Sequence, residues 1–134
     1  MITHVLLFSF KDGTSEEDFA ASMEAFRKTG QMPTVSFSVV GRYSGNPAAG
    51  YTHAAVFVLA DLETLDRYMY EPVHREADFI VHPHLAKMEA FDVSDDDEPD
   101  LEAKIMDIQR RRLASDPELA ELLGIAPEDL NTAG

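Results

Sequence analysis

From Thr3 to Phe10 the chain is dense in apolar residues that fall on both faces of an extended strand. His4, Leu6, Phe8 and Phe10 share one face at period two, and Thr3, Val5, Leu7 and Ser9 share the other. Lys11-Asp12-Gly13 makes a turn. Ser15 with Asp18 forms a capping box, and Glu16 and Glu17 stand in the first turn, where acidic side chains suit the helix dipole. Phe19, Met23 and Phe26 then recur at i, i+4 and i+7, which predicts a helix burying one face; Gly30 and Pro33 mark its end. Thr34 to Tyr43 alternates as a second strand, and Ser44-Gly45-Asn46-Pro47 is loop chemistry. Tyr51 to Leu59 predicts a third strand with Tyr51, His53, Ala55, Phe57 and Leu59 on one face. Asp61 caps a second helix carrying Leu62, Leu65 and Met69. Pro72 cannot continue that helix without losing a backbone hydrogen bond, so it breaks or kinks and restarts through Val81, ending at Pro83. Ala86 to Val93 is the fourth strand.

The order β-α-β-β-α-β, folded with right-handed crossovers, predicts an α+β domain with one four-stranded antiparallel sheet and both helices on one face. The other sheet face then has no helix to cover it. Yet Val5 and Leu7 oppose Leu6, Phe8 and Phe10, and Val56 and Val58 oppose Phe57 and Leu59. A sheet apolar on both sides needs a second cover. A second copy of the chain, packed sheet to sheet, supplies it, so the expected partner is the protein itself as a homodimer.

Composition narrows the function classes. The chain has 134 residues, 45% of them apolar, with 11 Lys and Arg against 25 Asp and Glu, a net charge of −14. Such a surface opposes general binding to nucleic acid or to anionic lipid, where Lys and Arg neutralise phosphates. The absence of cysteine excludes thiolate nucleophiles, disulfides and Cys-bound metal. No apolar run approaches the roughly 18 residues of a membrane helix, and Met1 to Leu7 lacks a cationic flank, so a cytoplasmic location is expected.

Charge also divides the chain. Ser94-Asp95-Asp96-Asp97-Glu98-Pro99-Asp100 is an acidic, solvated run that reads as a linker over 94–100 between a compact domain, 1–93, and a helical tail, 101–134. In the tail, Leu101, Ile105 and Ile108 recur at i, i+4 and i+7 on a segment that ends in Arg110-Arg111-Arg112, cations that suit a helix C-terminus. Asp116-Pro117-Glu118 starts a short helix with Leu119, Leu122 and Leu123, stopped by Gly124. An isolated helix of this length is marginal in water, so burial of its apolar side chains predicts docking, on its own barrel or on the partner's.

Four markers, taken in order, resemble the stress-responsive dimeric α/β-barrel family, Dabb. They are His4-Val5-Leu6-Leu7-Phe8, Gly50-Tyr51-Thr52-His53, Tyr68 followed by Pro72-Val73-His74, and the closing Phe91-Asp92. The resemblance covers residues 2–93. It implies a ferredoxin-like subunit whose sheet joins its partner's in a dimeric α+β barrel with, here, a C-terminal helical extension. The family includes plant polyketide cyclase-like proteins and stress-induced proteins with no known chemistry.

By that resemblance the catalytic candidates are His74 as base, Tyr68 as hydrogen-bond donor to a carbonyl and Asp92 as the carboxylate orienting the base. His53, His4, Tyr51 and Phe26 are the substrate-binding candidates. The implied chemistry, an intramolecular aldol-type closure, needs a base titrating near neutral pH and a donor for the developing oxyanion, with no cofactor and no metal. Asp78, one helical turn beyond His74, is a second carboxylate for that histidine, and either carboxylate would raise its pKa. Where cyclase-type members carry an aromatic hydroxyl on the first helix, this chain reads Ala25-Phe26, which makes the pocket more apolar. His4 and His53 begin antiparallel strands and so need not share a site.

The expectation is a homodimeric barrel with a small hydrophobic ligand in a pocket lined by His53, Tyr68 and His74, extending to cofactor-free cyclase- or lyase-like chemistry. The alternative is a non-catalytic stress or assembly protein whose histidines are structural. A flavin-free or haem oxygenase-like activity rests on fold analogy alone. His74, His82 and His84 lie close in sequence, but His82-Pro83-His84 reads as a surface turn at a helix end rather than as zinc ligands.

Overall fold

The computed structural model describes residues 1–126. The strands are β1 (Ile2–Phe10), β2 (Phe37–Arg42), β3 (His53–Leu59) and β4 (Leu85–Ser94). The helices are α1 (Glu16–Gly30), α2 (Leu62–Tyr70), α3 (Pro72–Val81), α4 (Leu101–Ala114) and α5 (Pro117–Leu122). Short 3-10 turns span Pro47–Ala49 and His82–His84. The end of the expected tail, 127–134, lies outside the described residues.

The sheet runs β2-β3-β1-β4, antiparallel throughout, the ferredoxin-like order that the β-α-β-β-α-β pattern predicts. Ile2, His4 and Phe8 of β1 and Ala55, Phe57 and Leu59 of β3 point under the helices and are buried. They meet Met23 and Phe26 of α1, Leu65, Tyr68 and Met69 of α2, and Ala77 and Val81 of α3 in one cluster.

Local chemistry sets the helix ends. Ser15 Oγ accepts from the Asp18 amide at 3.1 Å and opens α1. At its close, Gly30 packs so tightly on the Ser38 side chain that a Cβ there would collide. Asp61 Oδ1 accepts from both the amide and the hydroxyl of Thr64, at 2.8 and 2.7 Å, and opens α2. Pro72 breaks the helix outright: Glu71 is extended (φ −65°, ψ 134°), ends α2 and caps α3. The break seats His74, in the first turn of α3, against Tyr68 in the last turn of α2.

The opposite sheet face is bare in the single chain. Phe37 (61% exposed), Val39 (52%), Phe91 (40%) and Val93 (59%) stand there beside half-buried Val5, Leu7, Val56 and Val58. Pairing of Phe37 with Val58, Val39 with Val56 and Val5 with Phe91 makes these a continuous apolar surface. Among the described residues no helix is long and apolar enough to cross a membrane.

The tail helices dock on their own subunit. Leu101 and Ile108 of α4 join the central core cluster, and Leu119 of α5 is fully buried. Ion pairs tie the tail to α2 and α3: Arg112 to Asp78 at 2.7 Å, Arg75 to Asp116 at 2.7 Å and to Glu118 at 3.1 Å, and Arg111 to Asp66 at 3.6 Å.

Candidate functional site

Two histidines on neighbouring elements define the site. His4 and Asp92 are directly paired positions of β1 and β4, and His4 Nδ1 lies 2.8 Å from Asp92 Oδ1. With a carboxylate accepting from Nδ1–H, the other ring nitrogen, Nε2, is left as an acceptor. The His74 ring stacks on Tyr68 with centroids 4.6 Å apart, and Tyr68 in turn meets His4 edge-on at 6.1 Å. His74 Nε2 is 4.0 Å from Asp78, beyond hydrogen-bond reach; that carboxylate instead accepts from Arg112 Nη2 at 2.7 Å and lies 3.5 Å from His82.

A cavity of about 80 Å³ opens between these groups, lined by His4, Phe26, His74, Asp78, Arg112 and Leu123 among others. Larger depressions of about 540 and 620 Å³ are open surface grooves. One runs between α2 and α4; the other lies beside His53. A third depression, of about 390 Å³, lies between the acidic run and α4 with Asp92 in its wall; His4, His74, Asp78 and Arg112 meet at the small cavity.

Burial dominates the electrostatics. Desolvation pulls His74 down to about 4, outweighing the opposing pull of Asp78, so its ring is neutral at neutral pH. Burial also raises Tyr68 far above its usual range and keeps it a hydroxyl. Burial pushes Asp78 upward, but His82, His74 and Arg112 together overcome that and hold it at about 2. The buried Tyr68 hydroxyl has no hydrogen-bond partner among the described residues. His74 Nδ1 has none either: the Met69 carbonyl acts on that ring without reaching hydrogen-bond geometry.

Residues 2–95 match the family described as the Stress responsive A/B Barrel Domain, Dabb. The chain belongs to the Dabb family. Solved structures agree. Protein At3g17210 of Arabidopsis thaliana is 26% identical, with a TM-score of 0.62 over 72% of this chain and 96% of its own. A dimeric ferredoxin-like protein of unknown function from Thermobifida fusca is also 26% identical, with a TM-score of 0.61 over 69% of this chain and 89% of its own. Hydroxynitrile lyase from Passiflora edulis shares the fold at 16% identity, with a TM-score of 0.62 over 72% of this chain and 94% of its own. No curated protein matches the chain.

Against this Dabb frame the predicted residues separate. Asp92 orients His4 and not His74, because β4 pairs with β1 while His74 sits on the helix layer. The expected rise of the His74 pKa is reversed, since a carboxylate at 4.0 Å does not repay the desolvation of a buried ring. His53 does not line the pocket. It pairs with Phe8, four strand positions from His4, roughly 13 Å along the strand. It packs instead among Phe8, Phe10 and Phe19 and bonds to Thr52 at 2.8 Å. Desolvation, then Arg42, lowers its pKa.

Tyr51 is displaced too. β3 begins at His53, and Gly50, left-handed at φ 83°, turns the chain before it, so the period-two assignment fails at Tyr51. Its hydroxyl donates to Glu89 at 3.0 Å, on the bare sheet face. Phe26 does reach the cavity, against Phe8 at 4.7 Å. Tyr68 stands behind His74 and does not line it. His84 turns to Asp18, 3.9 Å away, and among the described residues no three His, Asp or Glu side chains are placed to hold a metal ion.

The Arg110-Arg111-Arg112 run predicts only a helix C-terminus, yet Arg112 is buried and lines the cavity. The signal for its burial was present: Leu101, Ile105, Ile108 and Arg112 fall at i, i+4, i+7 and i+11 on one stripe.

Proposed function

We propose that the protein is a homodimer whose sheets pack face to face. Each subunit binds an uncharged, largely apolar carbonyl compound and moves a proton on it without a cofactor. The single observation that carries this reading is buried His4, paired through Nδ1 with half-buried Asp92, facing a cavity beside a neutral His74. Asp92 fixes the tautomer of His4, so Nε2 accepts a proton from the carbon next to a carbonyl. The electron pair of that C–H bond moves onto the carbonyl oxygen as an enolate. A neutral imidazole still carries one N–H, and His74 supplies it to the developing oxyanion. The Tyr68 ring, stacked on His74 from behind the cavity wall, holds His74 in place.

The bare face supports the dimer. Its exposed Phe37, Val39, Phe91 and Val93 form the continuous patch that marks an interaction surface, and the Thermobifida fusca relative is dimeric.

A second reading, a non-catalytic barrel, is favoured by the small cavity and by a His74 that titrates well below neutral pH. Two measurements decide between them. Native mass spectrometry should give a dimer mass and any co-purified small molecule. Proton–deuterium exchange at the methyl group of acetophenone, followed by NMR in deuterium oxide, should exceed the buffer rate and fall to it in His4→Gln. Exchange at the buffer rate with the native protein would establish the second reading.

A further inference from the structure

A second groove lies on the helix side of the sheet, apart from the His4–His74 cavity. It is the depression of about 620 Å³ beside His53, between α1 and the edge strand β2. Its α1 wall follows from helical spacing. Phe19, Met23 and Arg27 fall at i, i+4 and i+8, with Ala20 and Glu24 beside them. Met23 is buried at the base of the groove, while Phe19 is 36% exposed. The opposite wall follows from strand register. Arg42 of β2 is paired directly with His53 of β3, so the two side chains share one face of the sheet. That face is the one under α1, because His53 packs on Phe19 with ring centroids 5.1 Å apart.

The charges of this groove run against those of the molecule, whose net charge is −14. Of the three large depressions, the one between α2 and α4 sets Glu63, Asp66 and Asp107 against Lys104 and Arg111. The one beside the acidic run is lined by carboxylates with no Lys or Arg. The His53 groove reverses the balance: Arg27 and Arg42 face one carboxylate, Glu24. Glu24 sits 3.8 Å from Arg27 in an exposed pair. Arg42 has no carboxylate within ion-pair distance among the described residues. It stands close enough to His53 to oppose protonation of that ring. At physiological ionic strength charges are screened over about 8 Å, so the groove's own cations, and not the distant acidic surface, decide what it holds. A dimer packed through the other sheet face leaves the groove open.

We propose that this groove is a second ligand site, for a small aryl carboxylate: the ring lies on Phe19, Ala20 and Met23, and the Arg42 guanidinium holds the carboxylate, with Arg27 as a second cation. The guanidinium fork matches a carboxylate in two parallel hydrogen bonds. The aromatic end of the groove fits a flat ring, since His53 stands there among Phe8, Phe10 and Phe19. The class differs from the uncharged compound of the His4–His74 cavity, where Arg112 is already answered by Asp78.

The probe is para-fluorophenylacetate, titrated into the full-length protein and followed by fluorine NMR, with the imidazole resonances of the histidines read alongside. It should bind with the His53 resonances shifted and those of His4 and His74 unmoved. Its uncharged counterpart, para-fluorophenylacetamide, should bind about tenfold more weakly, the loss expected when charge-assisted hydrogen bonds become neutral. Arg42→Gln should weaken the acid by about tenfold and leave the amide unchanged. Glu24→Gln removes the groove's carboxylate and should tighten binding of the acid. Arg67→Gln removes an exposed cation of α2 outside the groove and should change nothing. Equal affinity for acid and amide would reduce the groove to an apolar patch and overturn the proposal. So would equal losses in Arg67→Gln and Arg42→Gln, which would make the effect one of overall charge. Shifts at His4 and His74 in place of His53 would move the acid to the other cavity and overturn it too, as would no binding of the acid at millimolar concentration.

Discussion

His4 of β1 and Asp92 of β4 face each other across a single register position, with 2.8 Å between Nδ1 and Oδ1, and His4 is almost wholly buried. A buried donor deprived of its partner costs about 1–3 kcal/mol. Asp92→Ala should lower stability by that amount in denaturant titrations. Asp92→Asn keeps an acceptor for Nδ1–H but removes the charge, so it should cost less stability while still slowing acetophenone exchange. Equal stability of the alanine variant and the native protein would show that water replaces the carboxylate.

The bare sheet face predicts the oligomer. Phe91 lies beside Val5 on that face, 40% exposed in the single chain. A carboxylate there would be buried without a partner in a face-to-face dimer. Phe91→Glu should weaken the dimer by about 2 kcal/mol or more and give monomers at micromolar concentration in sedimentation. The fold of each subunit should persist, because Phe91 points away from the helices. A native protein that sediments as a monomer would contradict this.

His74 predicts a pH dependence. Its pKa falls from 6.5 to about 4 on folding, so between those values the unfolded chain binds more protons. Stability therefore rises with pH across that window. It is fully present above about 6.5 and lost progressively as pH falls toward 4, by on the order of 3 kcal/mol. Thermal melts of the native protein from pH 7 to 4 should show this slope, and His74→Gln should flatten it. A slope that survives the substitution would place the titration elsewhere.

The fold was legible because period-two and period-3.6 patterns are written in consecutive residues. Pro72, Gly30 and the caps at Ser15 and Asp61 end elements where local chemistry requires it. The site was only half legible, since strand register decides it. The spacing of His4 and Asp92 says nothing of their pairing until β1 and β4 are aligned. His53 shares a face with His4's neighbours but lies at the other end of the strand pair. Tyr51 lies before β3 begins, where alternation has no meaning. The balance between burial and a nearby carboxylate at His74 needs a distance, and the sequence supplies only the i, i+4 spacing.

The docked tail predicts the largest stability effect. Leu101 and Ile108 share the barrel's core cluster, and Leu119 is fully buried. Each such side chain contributes roughly 1.5–3 kcal/mol, from which the cost of ordering the segment must be subtracted. Arg112 adds a further consequence: without it, Asp78 keeps only the two histidines as neighbours of opposite potential charge. A chain ending at Ser94 should thus lose a few kcal/mol and melt several degrees lower by calorimetry. Asp116→Arg should lower the melt less than this truncation: it removes the Arg75 pair and the cap on the Leu119 amide that opens α5, each contributing about 1 kcal/mol. If the shortened chain melted with the full one, the burial of Leu101, Ile108 and Leu119 would be a contact without energetic weight, and the tail would not be part of the folded unit.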